Sequence, residues 1–434
     1  MQSIYMNNFR GFTETTIPLR QVNFFVGENS TGKTSLLALL DLLSRPQFWF
    51  NLDFNAGDYE FGGYKDIVSV LSPDQAEFQI GLCKYNEKNA ERSVCYMLHF
   101  QQSSDGLPKL VRFSQLCEKY EATVRITDRQ AAACLNTNVP ACGTCSSADE
   151  AFTFLRGAPS RLKKGYKVIS SDIGRLARIS PIINFSSILQ LLFKDSAISD
   201  KITSSPFPGL MAPFAGMAPI RTTPKRTYDG YTKTFSPEGE HTPYIIRKRL
   251  ARGSRTNEFK NALETFGNNS GLFEAVGITQ FGKDSASPFE LTITLNNKAL
   301  RLNSVGYGVS QALPIIVKLL THGRNSWLAI QKPEVHLHPR AQAALGEVLF
   351  HAVTRASQTL LIETHSDYLL DRFGVCLRDS KTETRKTQVV FFERTDSGNH
   401  AYPMLLDGNG EYPTGQPRGF RKFFLREQKR ILGV

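Results

Sequence analysis

The sequence has no run of about eighteen or more apolar residues, the length that a membrane-spanning helix requires. Its opening, Met1-Gln2-Ser3-Ile4, also lacks the basic and apolar segments of a secretory signal. These two absences predict a cytoplasmic protein with no membrane partner. The chain has 434 residues and is 41% hydrophobic, enough for one large α/β domain with an insertion or for two or three average domains.

Cysteine is scarce, with seven residues, and a cytosolic chain is not expected to carry a disulfide framework. Cys142 and Cys145 form a Cys-x-x-Cys pair, with Cys134 and Cys117 upstream. Two thiolates at this spacing are able to share one tetrahedral zinc ion, but the interval from Cys117 to Cys134 is irregular for a zinc knuckle. The pattern therefore leaves two interpretations, a zinc site or free thiols in a polar loop, and favours the thiols.

Acidic residues are the minority among the charged side chains. There are 40 Asp and Glu against 52 Lys and Arg, which gives a net charge of +12. This excess suits a polyanionic partner such as nucleic acid or an acidic protein, although it also serves solubility. The basic residues form clusters at 247–252 and 418–430, which favour a charged binding face without identifying its partner.

Residues 27–34, with the sequence GENSTGKT, match the phosphate-binding P-loop pattern in full. An apolar strand over 22–26 precedes them, and residues 35–43 contain no Gly, Pro or β-branched side chain and predict a helix. In that context the backbone N–H groups of the loop surround a di- or triphosphate. Lys33 reaches the β/γ oxygens, and the Thr34 hydroxyl ligates Mg²⁺. The sequence therefore predicts an ATP or GTP site.

Hydrophobic alternation predicts strands on both sides of this loop in the sequence. A strand at the start of the chain and a hairpin over 78–82 and 94–98 predict antiparallel strands beside the nucleotide site. Three strand–helix units between 326 and 392 predict a mostly parallel sheet that the P-loop strand joins. We therefore expect an α/β fold. Its expected parts are two halves of a P-loop head, 1–104 and 286–434, and a mixed helical and loop-rich insertion, 105–285.

Three segments in the C-terminal third carry candidate chemistry. The first, 303–311, is a glycine-rich turn that opens a helix, and a helix N-terminus is able to bind an anion. The second, 328–339, stands where an acidic residue ends a buried strand and holds Mg²⁺ through water. The third, 362–367, places His365 at the carboxyl edge of the sheet, where ligands of open α/β sheets bind. Taken alone, the first segment is also consistent with a plain helix cap. Taken alone, His365 is also consistent with a structural role.

The second segment departs from the acidic pattern. Gln331 and Lys332 occupy the positions where acids are expected. Gln331 offers only a neutral carbonyl oxygen to a metal, and lysine is protonated at neutral pH, so Glu334 is the carboxylate left to orient water or metal. His336 and His338 have no acid triad nearby in the sequence, which indicates packing and hydrogen-bonding roles.

As a set, these motifs resemble ABC-type AAA ATPases of the overcoming-lysogenisation-like group, relatives of RecF. The resemblance rests on Asn8-Phe9-Arg10-Gly11-Phe12, the P-loop, 305–311, 333–339 and 364–367. In the middle third it is loose, at 218–221 and 237–240. It implies an ABC-type head with ATP and Mg²⁺ as cofactors. It also implies a homodimer or higher homo-oligomer with ATP between the copies, where 303–311 meets the γ-phosphate of the partner's site. No heptad pattern is sustained, which excludes the long coiled-coil arms of chromosome-maintenance ATPases.

The resemblance also implies the roles of individual residues. Glu334 and His365 are the catalytic candidates, with His365 at the γ-phosphate, and Thr34 and Gln331 are the metal candidates. Because Gln331 and Lys332 replace acids, we expect slow hydrolysis. The nucleotide-binding candidates are Arg10, Gly27, Asn29, Ser30, Thr31, Gly32, Lys33, Thr34, Ser35, Gly306, Gly308, Ser310 and Gln311.

Many members of this group serve in bacterial anti-phage systems such as Septu, PARIS, Gabija and retron modules. Some carry a C-terminal TOPRIM nuclease domain, but the residues after His365 are too few for it and lack its acidic pattern. The leading hypothesis is therefore an ATP-gated defence ATPase that assembles with and controls a separate nuclease or toxin. The alternatives are a RecF-like repair ATPase that clamps DNA and a nucleotide-dependent scaffold that senses an acidic phage protein.

Overall fold

The computed structural model describes residues 2–72, 75–84, 93–117, 120–127, 130–137, 147–158, 165–169, 182, 185–194, 213–230, 234–251, 255–284, 286–380, 387–420 and 430. The chain forms two compact units. The first comprises Met1–Arg20, Glu28–Met211 and Phe391–Pro403, and the second comprises Gln21–Gly27, Ala212–Val390 and Met404–Val434.

The described elements are numbered in chain order. The strands are β1 (Gln2–Asn7), β2 (Thr15–Leu19), β3 (Val22–Gly27), β4 (Phe78–Lys84), β5 (Val94–Gln102), β6 (Pro108–Cys117), β7 (Glu121–Ile126), β8 (Ala131–Asn136), β9 (Lys167–Val168), β10 (Phe214–Met217), β11 (Ala275–Gln280), β12 (Phe289–Leu295), β13 (Lys298–Arg301), β14 (Trp327–Gln331), β15 (Thr359–Glu363), β16 (Thr387–Thr395) and β17 (Gly398–Leu405). The helices are α1 (Lys33–Ser44), α2 (Pro46–Asn51), α3 (Tyr64–Ile67), α4 (Ala148–Arg156), α5 (Phe185–Leu192), α6 (Thr242–Leu250), α7 (Arg255–Ser270), α8 (Tyr307–Thr321), α9 (Pro339–Ala356) and α10 (Asp367–Asp379).

The first unit is built on an antiparallel sheet with the strand order β2-β1-β4-β5-β6-β7-β8-β9. The pairing of β4 with β5 confirms the predicted hairpin. Strands β6, β7 and β8 extend the sheet through residues where a mixed helical and loop-rich segment was expected. These strands lie inside the sheet and bury both faces in places, so they lack the clear alternation that identifies a half-exposed strand.

Helix α4 covers part of this sheet. Its apolar residues recur at helical spacing, at Ala148, Ala151, Phe152 and Leu155, and all four are buried against the sheet. The helix begins where the Ser147 hydroxyl oxygen accepts a hydrogen bond from the Glu150 N–H at 3.2 Å. Local capping and apolar spacing therefore explain why this segment is helical.

Strands β4 and β5 carry a disulfide between Cys83 and Cys95. The two residues are direct cross-strand partners, with their Cα atoms 4.0 Å apart, in the hydrophobic core beneath α4. No disulfide framework was expected, and this single pair departs from that expectation. The register of the hairpin brings the two sulfurs together, and cysteine spacing alone does not reveal that register.

The cysteines considered for zinc are only partly described. Cys134 is buried in β8, where burial raises the pKa of its thiol, and the Cys117 sulfur donates to the Tyr120 carbonyl at 3.5 Å. Cys142 and Cys145 lie outside the described residues. The zinc hypothesis therefore stays a prediction.

The second unit contains a parallel sheet with the strand order β10-β14-β15-β3, which β16 and β17 continue beyond β3. Helices α9 and α10 follow β14 and β15, as the alternation of strands and helices predicted. The P-loop strand β3 pairs in parallel with β15, which confirms that it joins this sheet. The predicted α/β class, with a mixed sheet and a separate antiparallel sheet, is confirmed.

A three-stranded antiparallel sheet, β11-β12-β13, completes the second unit. Asn296 and Asn297 form the turn between β12 and β13, with φ angles of 50° and 60°, which asparagine tolerates better than most residues. Within the described residues, no helix is both long and apolar enough to span a membrane.

Candidate nucleotide-binding and hydrolysis site

The P-loop links β3 to α1. Strand β3 ends at Gly27, and α1 begins at Lys33 with Gly32 as its N-cap residue. Ser30 and Gly32 have positive φ angles of 62° and 94°, which turn the chain sharply before the helix. A side chain at Gly32 would overlap the ring of Phe12, so glycine is required there by both conformation and space.

Lys33 is the functional side chain that the loop encloses most completely. It is 3% exposed, and its Nζ donates to the Glu28 carbonyl oxygen at 2.5 Å and to the Thr31 Oγ1 at 3.4 Å. The Thr31 hydroxyl donates to the same carbonyl oxygen at 2.8 Å. The loop thus holds a desolvated ammonium group at the N-terminus of a twelve-residue helix whose first turn contains no acidic residue. Both features favour binding of a phosphate group.

The other loop candidates differ in exposure. Asn29, Ser30 and Thr34 are exposed, whereas Gly27 and Ser35 are half-buried. Thr34 follows Lys33 in the first turn of α1. These placements are compatible with the predicted nucleotide and metal roles.

The opening motif supports the loop from within the first unit. Phe12 is fully buried next to Gly32, and the Gly11 carbonyl oxygen accepts a hydrogen bond from the Asn399 N–H at 2.8 Å. Arg10 donates from Nη2 to the Phe61 carbonyl oxygen at 2.6 Å. Its guanidinium carbon lies 5.4 Å from the centre of the Phe61 ring. Sequence reasoning missed the contributions of Phe12 and Asn399, because the two are joined only by the fold.

In the second unit, Glu334 follows β14 and is held by the segment after β15. Its Oε2 accepts a hydrogen bond from the Thr364 hydroxyl at 2.8 Å, and its Oε1 accepts one from the His365 N–H at 2.8 Å. The Thr364 Oγ1 also accepts from the Ser366 N–H at 3.1 Å. Glu334 is half-buried, and the His365 side chain is exposed. The structure thus brings the two predicted catalytic residues into one hydrogen-bond network.

Arg221 lies behind the turn that carries Glu334. It is 2% exposed, and its Nη2 donates to the Gln331 carbonyl oxygen at 2.9 Å and to the Lys332 carbonyl oxygen at 3.5 Å. Lys332 has a φ of 44°, so these donations stabilise a backbone conformation that such residues seldom adopt. Burial lowers the pKa of Arg221 to about 10, and the charge of Glu334 opposes this shift. A positive charge therefore remains beneath the turn at neutral pH.

The glycine-rich segment opens α8, with Gly306 as the N-cap residue. Gln311 is 1% exposed, and its side-chain amide pairs with the backbone of Arg221: its Oε1 accepts from the N–H at 3.3 Å, and its Nε2 donates to the carbonyl at 3.4 Å. Ser310 is also buried, and its hydroxyl donates to the Tyr307 carbonyl oxygen at 2.7 Å. In this structure Gln311 and Ser310 therefore make contacts within their own chain, and Gln311 links α8 to Arg221.

The two glycines of this segment have different surroundings. A Cβ added at Gly306, which is exposed, would meet no atom within 4 Å. A Cβ added at Gly308 would lie 2.9 Å from the His336 carbonyl oxygen. Gly308 is therefore required by packing within the unit, whereas a side chain at Gly306 would meet open space.

The histidines after β14 have structural roles. The His336 ring lies edge-on to the Tyr307 ring, with centroids 4.9 Å apart. The His338 Nδ1 accepts a hydrogen bond from the Arg340 N–H at 3.3 Å and caps α9. These contacts agree with the predicted packing and hydrogen-bonding roles.

Within the described residues, no three or more His, Cys, Asp or Glu side chains gather as a metal-binding cluster. A nucleotide-bound Mg²⁺ does not need such a cluster, because one or two protein oxygens, phosphate oxygens and water complete its shell. Thr34 and Gln331 each offer a neutral oxygen suited to this ion. The chemistry of each side chain, considered by itself, therefore fits an ion bound with a nucleotide, and the two metal roles stay predictions.

The AAA ATPase domain family matches residues 1–202 and 232–370 of the chain. No curated protein sequence matches it. The SMC head domain from Thermotoga maritima is similar over 92% of this chain and 97% of its own, with 11% identity and a TM-score of 0.38. A Smc head domain bound to the C-terminal domain of ScpA, derived from Pyrococcus furiosus, is similar over 99% and 100%, with 10% identity and a TM-score of 0.42. The recombination mediator protein RecF is similar over 92% and 97%, with 13% identity and a TM-score of 0.31. Values this low do not carry function from these proteins to this chain.

Proposed function

We propose, because this chain belongs to the AAA ATPase domain family, that it binds ATP with Mg²⁺, hydrolyses it slowly and acts as a nucleotide-gated switch. The observation that carries this proposal is a complete P-loop combined with an incomplete acidic set. Lys33 is enclosed by its loop, whereas β14 ends in Gln331 instead of an acid. Strong nucleotide binding with weakened water activation favours a long-lived ATP-bound state.

Each candidate residue has a defined role in this proposal. Lys33 and the first N–H groups of α1 bind the phosphates, and Mg²⁺ neutralises charge that develops on the phosphate oxygens. Glu334, fixed by Thr364 and His365, orients the attacking water. The exposed His365 side chain donates a hydrogen bond to the γ-phosphate.

The ATP-bound form is proposed to be a homodimer in which the N-terminus of α8 contacts the nucleotide of the partner. Because the space around Gly306 is open within its own chain, Gly306→Trp should fold normally but block closure. We expect ATP affinity close to that of the wild type and no ATP-dependent dimer, as measured by light scattering with a non-hydrolysable ATP analogue.

Gly323→Trp is the matched control, because Gly323 follows the other end of α8 and is also surrounded by open space. That variant should dimerise like the wild type. Equal dimerisation of the Gly306 variant would refute closure over a partner's nucleotide.

The physiological role that we propose is control of a separate nuclease or toxin in an anti-phage defence system. The sequence motifs that resemble the overcoming-lysogenisation-like group support this role. The test is co-purification of the chain with the product of an adjacent gene, followed by assay of that product with and without ATP. Absence of both binding and an ATP-dependent change in its activity would reject the role.

A second candidate, a RecF-like ATPase that clamps DNA, is favoured by the net charge of +12. Part of the basic cluster in α6 is already engaged, since Arg247 donates to the Gly230 carbonyl oxygen at 2.6 Å, whereas Lys248 is exposed. Most of the second cluster lies outside the described residues. ATP-dependent DNA binding that weakens steeply with salt would support this candidate over effector control. If the chain binds ATP but neither hydrolyses it nor binds DNA, the scaffold that senses an acidic phage protein is favoured instead.

A further inference from the structure

We propose that a cavity within the second unit binds a small neutral alcohol. The cavity has a volume of about 40 Å³ and lies among residues 222–228, the start of α6 and the first two turns of α8. All of its lining residues belong to the second unit. One water molecule needs roughly 10–15 Å³ of such volume, so the cavity has room for a few non-hydrogen atoms. Binding there does not require a nucleotide.

The walls of the cavity are mostly apolar. Five buried side chains line it, each no more than 7% exposed: Tyr228, Tyr244, Leu291, Leu302 and Leu313. Lys225 and Glu240 are the charged residues of the lining, and their charges have opposite signs. Because an apolar wall disfavours an unpaired charge, these surroundings favour a ligand with an aliphatic body and no net charge.

The Thr242 hydroxyl is the polar group that a ligand in this cavity would bind. Thr242 is 3% exposed, and its buried Oγ1 forms no hydrogen bond with any described residue. By contrast, partners within the chain are present for the hydroxyl groups of the lining residues Thr222, Tyr228, Tyr244 and Ser310. A buried hydroxyl without a partner destabilises the fold, so a ligand that forms a hydrogen bond with Thr242 is favoured.

Pro314, which lies inside α8, adds a second polar group. Proline has no N–H, so the helical hydrogen bond from position 314 to the Ser310 carbonyl oxygen is missing. Ser310 and Pro314 both line the cavity. A Cβ atom added at Gly239, another lining residue, would meet the Pro314 Cβ at 2.6 Å and the Thr242 Oγ1 at 3.4 Å, so these groups border the same space. An alcohol hydroxyl matches this pair, because it donates to the carbonyl oxygen and accepts from Thr242.

The experiment titrates the 434-residue chain with propan-2-ol as the probe and measures binding by saturation-transfer NMR. Acetone has the same carbon skeleton without a hydroxyl donor and should bind about tenfold more weakly. Thr242→Val is nearly isosteric and should weaken propan-2-ol binding by about tenfold, because it removes the hydroxyl. Pro314→Ala should also weaken it, because the new N–H donates to the Ser310 carbonyl oxygen. Thr279→Val, at an exposed position of β11, is the matched control and should bind propan-2-ol like the wild type.

Equal affinity of Thr242→Val and the wild type for propan-2-ol would overturn the proposal, and so would equal affinity of the wild type for propan-2-ol and acetone. If propan-2-ol binding to the wild type does not saturate, the cavity holds only water and the proposal is also wrong. Thr242→Val should fold normally, because it removes a buried polar atom that lacks a partner among the described residues. If it does not fold, the acetone comparison and Pro314→Ala decide, and unchanged affinity in either rejects the site.

Discussion

Lys33→Ala is expected to abolish the stabilisation of the folded chain by ATP. A ligand present at about 100 times its dissociation constant raises the free energy of unfolding by about 2.7 kcal/mol, and a 100-fold loss of affinity reduces that gain to about 0.4 kcal/mol. Lys33 should cause a loss of this size, because it supplies the charged donor for the β/γ-phosphates. Thermal unfolding with and without ATP measures the effect.

The contacts of Lys33 within its own loop set a condition on this test. Lys33 donates to the Glu28 carbonyl oxygen and to the Thr31 hydroxyl, so its removal also changes contacts within the loop itself. The unfolding midpoint without ATP must therefore be compared first. Lys65→Ala, an exposed site on α3, is the matched control and should keep the full ATP response. An undiminished ATP response in Lys33→Ala would show that the nucleotide binds elsewhere.

The P-loop and the parallel sheet were predictable because their signals are local. A glycine-rich loop between an apolar strand and a helix has few alternative structures, and each strand–helix unit between 326 and 392 carries its own hydrophobic pattern. The position of β3 in the sheet followed from the motif itself. Each of these segments is identified from its own residues, even where its neighbour in the sheet is distant in sequence, as β15 is from β3.

The contacts that were not predicted join distant segments. Phe12 fills the space beside Gly32, and Arg221 supports the turn after β14 from 110 residues away in sequence. Nothing in the local pattern around either residue indicates its partner. The same reasoning applies to Cys83 and Cys95, which only the register of the β4–β5 hairpin brings together.

The neighbours of Gln331 at the sheet edge are visible in the structure but not in the sequence. In the sequence, Gln331 stands at a position where an acidic residue is expected. Reading across the strands, its paired neighbour is Glu363. Paired residues of neighbouring parallel strands have their side chains on the same face of the sheet, so the surroundings of Gln331 depend on a strand that is distant in sequence. The proposed hydrolysis depends on whether Glu334, the carboxylate of the segment that follows β14, positions the water.

Glu334→Gln tests that role with little change in local geometry. The glutamine carbonyl oxygen is able to accept from the His365 N–H, as Glu334 does now. The glutamine NH₂ group is able to donate to the Thr364 hydroxyl oxygen, so that contact persists with its donor and acceptor exchanged. Only the negative charge is removed. The variant should therefore bind ATP like the wild type.

Turnover, in contrast, should fall by about 10²–10⁴-fold in Glu334→Gln, the usual contribution of a base or water-positioning group. Phosphate release at saturating ATP measures it. Glu347→Gln is the matched control and should retain wild-type turnover. Gln331→Glu should raise turnover instead, because it adds a charged metal ligand on β14 without touching Glu334. Wild-type turnover in Glu334→Gln would remove Glu334 from water activation. If every form binds ATP but none releases phosphate, the chain acts as a nucleotide-sensing scaffold, because it then binds the nucleotide without hydrolysing it.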